Sequence, residues 1–196
     1  MSLLPYASLA HRRKSFRVTG DVVLLSTQTA SDSASLDFTS GITSTYGEYI
    51  FKFIDIHPET DGERFSFQAN AVGQSGYNET ITSTAFGAHN NEAGGTTSLG
   101  YDTAEDQAQG TAFQFISNTL GNDNDQNMNG TLHLFSPSST TFVKHFMAES
   151  NVAQNADYTI HRFHAGYINT TSAIDEIQFK MSSGNFSGTI KMWGVK

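Results

Sequence analysis

Glu48-Tyr49-Ile50-Phe51-Lys52-Phe53-Ile54-Asp55-Ile56 carries the clearest fold signal in the chain. Side chains alternate faces along an extended chain, so Tyr49, Phe51 and Phe53 share one face while Ile50, Ile54 and Ile56 share the other with Lys52. Aromatic and β-branched residues on both faces predict a strand buried on two sides, at the centre of a sheet. Downstream, Ile174–Met181 sets Ile174, Glu176, Gln178 and Lys180 against Asp175, Ile177, Phe179 and Met181, which predicts one mainly polar face turned to water or to another subunit. Along the rest of the chain, the same reading predicts strands at Asp21–Ser26, Ser35–Phe38, Phe65–Asn70, Thr84–His89, Ala112–Ile116, Thr131–Phe135, Thr141–Ala148, Tyr158–Ile168 and Gly188–Val195.

Between these runs lie segments dense in Gly, Ser, Asn and Thr, such as 73–78, 90–97 and 182–187, whose residues supply turn geometry. Asp102–Gln109 is the one short helix candidate. Many short strands with so little helix predict an all-β fold, an antiparallel β-sandwich or jelly roll. The chain of 196 residues is divided into an extended N-terminal arm over 1–20 and one β-sandwich domain over 21–196. Fifteen Phe residues supply the apolar area for its core.

Charge narrows the partners. Arg12, Arg13, Lys14 and Arg17 form a basic cluster inside the arm, and the rest of the chain carries seven basic against nineteen acidic residues, a net charge of −12. No Lys or Arg stands between Arg64 and Lys144, so a phosphate-binding face on the body is not expected, and nucleic acid is a poor partner. Cysteine is absent, which excludes disulfides and thiolate metal sites and fits folding in a reducing cytoplasm. No apolar run reaches the length of a membrane helix, so no membrane insertion is expected. In the first sixteen residues the basic cluster follows the apolar part, the reverse of a signal peptide.

Catalytic signatures are missing: there is no P-loop, no HExxH and no GxSxG elbow, and Gly73-Gln-Ser-Gly76 lacks the spacing that exposes a nucleophile. The expectation is a protein that is not an enzyme, with no catalytic residues and no cofactor. Asp125, Asn127 and Asn129, followed by Gly130, match the first half of a calcium loop and are the metal candidates. Ser136 stands where the bidentate Glu belongs, and residues 131–135 pattern as a strand, so a polar turn leading into a strand is the expected reading. Among the strand histidines His133, His145, His161 and His164, the last two are three residues apart and must point to opposite faces.

Several segments resemble a module of tailed phages, particularly marine ones: Leu24–Ser31, Phe38–Ile42, Tyr46–Tyr49 and Ile56–Pro58, then Ser172–Phe179, Ser183–Ile190 and Met192–Val195. The Ser187-Gly-Thr-Ile190 run and the final aromatic-Gly-aliphatic step are similar to the closing strands of tail-fibre and other virion surface modules. The resemblance covers nearly all of 21–196 and carries no active-site residue across. It implies a β-sandwich, often a homotrimer, placed in the virion as a short tail fibre, tail tip or head decoration after assembly in the host cytoplasm. The arm, through Arg12, Arg13, Lys14 and Arg17, is then expected to anchor the module to other virion proteins. The alternative expectation is a carbohydrate-binding module for host attachment, in which the loop aromatics Tyr77 and Tyr101 stack on host surface glycans.

Overall fold

The computed structural model describes residues 21–196; the arm and its cluster Arg12, Arg13, Lys14 and Arg17 lie outside the described residues. Twelve strands are formed, β1 (Val22–Ser33), β2 (Leu36–Phe38), β3 (Glu48–Pro58), β4 (Glu63–Ala71), β5 (Ile81–Asn91), β6 (Thr97–Tyr101), β7 (Gln114–Leu120), β8 (Met128–Phe135), β9 (Lys144–Gln154), β10 (Tyr158–Ile168), β11 (Ile174–Met181) and β12 (Phe186–Val195). Every ladder between them is antiparallel, and no helix occurs among the described residues. No helix there is therefore long and apolar enough to cross a membrane.

The strand order resolves into a jelly roll with an extension. One sheet runs β1-β12-β3-β8 and the other β2-β11-β4-β7. These eight strands, counted in chain order, give the orders 1-8-3-6 and 2-7-4-5, the interleaving of two Greek keys. The hairpin β5–β6 is inserted between β4 and β7, and β9–β10 between β8 and β11. The two insertions find each other: β9 pairs with β8, β10 with β9, and β5 with β10, so the first sheet grows to eight strands ending at β6. A single pair, Leu120↔Gln154, joins the two sheets through β7 and β9.

The core between the sheets is built from rings. Phe51 and Phe53 of β3 face Phe65 and Phe67 of β4, and Phe179 of β11 stands among them, 5.3 Å from the centroids of Phe51 and Phe53 and 6.0 Å from Phe38. Burying each such ring contributes about 2–3 kcal/mol, which offsets the ordering cost of a chain so rich in turns.

Local outcomes differ from the sequence reading in four places, and at one of them a register shift between Ile174 and Glu176 turns Ile174 into the core with Ile177 and Phe179 instead of onto the polar face of Glu176. Ile56 does not share a face with Ile50 and Ile54, because Asp55 takes a left-handed conformation (φ 52°) and the register with β8 slips between Phe53 and Ile56. That bulge turns Ile56 into the core, where it is fully buried. Asp102–Gln109 is not a helix but an irregular segment lying along the edge of β5, tied there by Asp102 N–H donating to Ala85 O (3.0 Å) and by the Ile81↔Gly110 bridge. Thr97–Tyr101, for which the residue pattern predicts no strand, forms β6.

The outer face of β4 also departs from a simple two-layer picture, since Ser66, Gln68 and Asn70 are buried there as thoroughly as the Phe residues on its inner side. Gln68 Nε2 donates to the carbonyls of Glu79, Thr111 and Ala112, so segments 72–80 and 107–113 lie over this sheet. The polar face of β11 is half-buried beneath the same cover, with the Lys180 ammonium 4.1 Å from the Phe113 ring centroid.

Candidate interaction face

Among the described residues, none lies over the outer face of the eight-stranded sheet in this way. Register places its side chains in rows across the strands: Leu24, Trp193, Ile50, His133, Met147 and Ala165 run from β1 to β10. A second row, Lys191, Lys52, Thr131, Glu149, Phe163, Phe86 and Tyr101, runs from β12 to β6. Aliphatic, aromatic and imidazole groups make up the first row, whereas the second passes from two Lys, a Thr and a Glu to the aromatic run Phe163, Phe86 and Tyr101; Met147 is 57 % exposed and Phe86 46 %. Monomeric soluble proteins seldom leave so continuous an apolar row in water.

The face is also shaped. Phe86, His133, Phe135, Met147 and Phe163 line a trough of about 350 Å³. Two carboxylate–imidazole pairs border it, His133 Nδ1 to Glu48 Oε1 at 2.5 Å and His161 Nε2 to Glu149 Oε1 at 2.7 Å. Phe163 is packed between the Phe86 ring (5.1 Å, interplanar 13°) and the His161 imidazole (4.4 Å), so its flat surfaces are spent on neighbours. A sugar stacks on an open aromatic face, whereas this arrangement offers ring edges and a sulfur, the surface that suits protein side chains.

Beneath β10 lies a buried polar cluster absent from the sequence reading. Glu105 is enclosed completely, with Oε2 3.1 Å from His164 Nε2 and 3.5 Å from Arg162 Nε, while Asn118 donates to its Oε1 (2.9 Å). Arg162 also holds Asp102 at 2.8 Å. Two carboxylates thus compensate one guanidinium in a place where an unpaired charge would be costly, and the pairing pins segment 102–110 beneath the extension. Arg162 forms part of a shallow polar hollow of about 280 Å³ with His89, Asn118, Gln154 and Tyr158.

The residues named from sequence are spread over the molecule. Asn127 and Asn129 are engaged with Asp55: Asn127 Nδ2 donates to its carboxylate (3.2 Å), and Asp55 N–H donates to Asn129 Oδ1 (3.0 Å). Asp125 is exposed in the preceding turn, and Met128–Phe135 is a strand. Among the described residues no group of three or more His, Asp or Glu side chains is gathered as a metal site. His161 lies on the outer face and His164 is buried beneath, the opposition that their spacing requires.

Tyr77 and Tyr101 are on opposite faces of the sandwich. Tyr77 sits against the four-stranded sheet, where partial burial and then the carboxylates of Glu176 and Asp37 push its pKa up to about 12. Tyr101 is 56 % exposed beside Phe86, and its hydroxyl donates to Asp106 (2.5 Å), which raises its pKa. Sequence reasoning missed the apolar face itself, because the rows that create it join residues far apart in the chain.

Fold and face together define a jelly-roll protein with an extended sheet and one side, partly apolar, that no described segment covers. No family model matches this chain, and no curated protein and no solved structure does so.

Proposed function

We propose that this chain is a non-enzymatic structural protein of a tailed-phage virion, a homo-oligomeric surface module of the short tail-fibre, tail-tip or head-decoration type, anchored through residues 1–20. The observation that carries the reading is the partly apolar outer face of the eight-stranded sheet, which no described segment covers and which suits burial against neighbouring subunits. The jelly-roll architecture, the lack of cysteine and the scarcity of basic residues on the body agree with it. A homotrimer is the assembly that the sequence resemblance implies, and this face is the surface we assign to its contacts.

Immunogold labelling of intact particles with antibody against residues 21–196 tests the placement. Label over the head supports decoration, label confined to the tail supports adsorption, and unlabelled particles whose proteome lacks the protein overturn the reading. Deleting residues 2–17 is expected to leave a folded body that no longer joins particles.

A second reading, recognition of host surface glycans, draws on the polar hollow beside Arg162, where the amides of Asn118 and Gln154 stand with the Tyr158 ring. Glycan-array binding lost in both Tyr158→Ala and Asn118→Ala would favour it. Binding lost only in Tyr101→Ala would move the contact to the outer face.

A further inference from the structure

Strand β6 ends the eight-stranded sheet, and its exposed edge is built unlike the sheet's other margin. In an antiparallel ladder, residues that exchange both backbone hydrogen bonds alternate with residues that exchange none. Asn91 N–H donates to Thr96 O (3.1 Å) and Asp102 N–H to Ala85 O (3.0 Å), which fixes the parity of the β5–β6 ladder. With Ala88 opposite Leu99, Ser98 and Gly100 direct their backbone groups toward β5. Thr97, Leu99 and Tyr101 therefore turn three N–H and three C=O groups outward, without a partner among the described residues.

Edge strands are ordinarily guarded by charge, proline, a bulge or brevity. The opposite margin follows that rule: β1 is bulged in two places, and Gln28 within it donates to Asp37 O of β2. Apart from its length of five residues, Thr97-Ser-Leu-Gly-Tyr101 has none of these guards, with no charged residue, no proline and no register shift, and it carries Leu99 at 75 % exposure. The nearest acids are occupied, Asp102 by Arg162 and Asp106 by the Tyr101 hydroxyl.

We infer that β6 pairs edge to edge with β6 of a second copy of this chain, across a two-fold axis through Leu99. Thr97-Ser-Leu-Gly-Tyr101 fits itself in that register. Leu99 opposes Leu99 and Thr97 opposes Tyr101, so all outward groups meet outward groups. The odd-numbered side chains gather on the same outer face as Phe86, and each copy contributes an uncharged strip. Five residues per copy bury far less than the roughly 800 Å² per partner of a stable interface, so the contact is weak alone and gains strength between modules already held side by side. The bodies are strongly acidic, so their mutual repulsion opposes the pairing and salt relieves it.

Analytical ultracentrifugation of the full chain over a concentration series, at low and high salt, is the test. The expected result is a reversible doubling of mass, whatever the size of the starting unit, reached at lower protein concentration in high salt. Leu99→Lys places a like charge at the axis, and Leu99→Pro removes an outward N–H while leaving the β5 ladder intact. Both are expected to abolish the doubling with the circular dichroism spectrum unchanged. Amide exchange gives a second readout: the 97, 99 and 101 amides slow on doubling, while those of Ser98 and Gly100 are slow throughout. Mass that never doubles, doubling that survives Leu99→Lys, or alternate amides that stay fast in the doubled species would overturn the inference.

Discussion

Phe179 stands where both sheets meet, its ring within 6.4 Å of the centroids of five other phenylalanines. Phe179→Ala is expected to cost about 3–5 kcal/mol in urea unfolding, because rings drawn from three other strands cannot all collapse into the space left. Phe142→Ala, at an exposed position, is expected to change stability by less than about 0.5 kcal/mol. Lys144 is the opposite kind of core residue, a fully buried ammonium donating to the carbonyls of Phe142 (2.8 Å) and Thr170 (3.0 Å). Burial pulls its pKa below the usual 10.5, and Glu79 partly opposes the shift. Between the lowered value and 10.5 the unfolded chain binds more protons than the folded one, so this group makes stability rise with pH in that window. The melting temperature of the wild type, measured against that of Lys144→Met, is expected to climb as pH approaches 10.5; a difference that stays flat or falls would refute the account.

At the scale of elements, the Asp55 bulge on β3 and the break opposite it on β12 form one device. Gly188 lies at φ 138°, and a Cβ there would meet the Asp55 carbonyl at 2.7 Å, so the glycine in Ser187-Gly-Thr-Ile190 makes room for the bulge that turns Ile56 inward. Gly188→Ala is expected to cost about 1–3 kcal/mol in chemical denaturation, while Gly47→Ala, whose added carbon meets nothing within 4 Å, serves as the neutral control. The motif was visible in the sequence, but its reason was not, since that depends on a carbonyl more than a hundred residues away. The bounds of Tyr158–Ile168 and Ile174–Met181 were legible to the residue, although the irregularity that turns Ile174 inward was not. Strand β6 was not, because its two large apolar side chains lie on one exposed face and its extended form is imposed by β5. Asp102–Gln109 misled for a related reason: Glu105 is drawn to Arg162 and His164, so a long-range ionic contact overrides local helical preference.

For the whole molecule, the sequence carried the all-β class and the supply of aromatic core, while the division of strands between sheets lay in pairings that no local pattern records. The apolar outer face was hidden for the same reason, since Leu24 and Trp193 are neighbours only once the sheet exists. A chain truncated after Gly184 is expected to show no cooperative unfolding transition by heat or urea, because it retains eleven strands yet loses the one that bridges β1 and β3. A sharp transition in that fragment would show that the remaining ladders suffice.

That bridging position of β12 sets a timetable for synthesis. When β3 leaves the ribosome, its neighbour on one side is still more than a hundred residues from being translated, a wait on the order of ten seconds at ordinary elongation rates. Through that interval the rings of β3 and β4 have no finished sheet to close over them. Completion of the last strand is then the event that closes the first sheet, so a chain interrupted earlier lacks both ladders that β12 makes, with β1 and with β3.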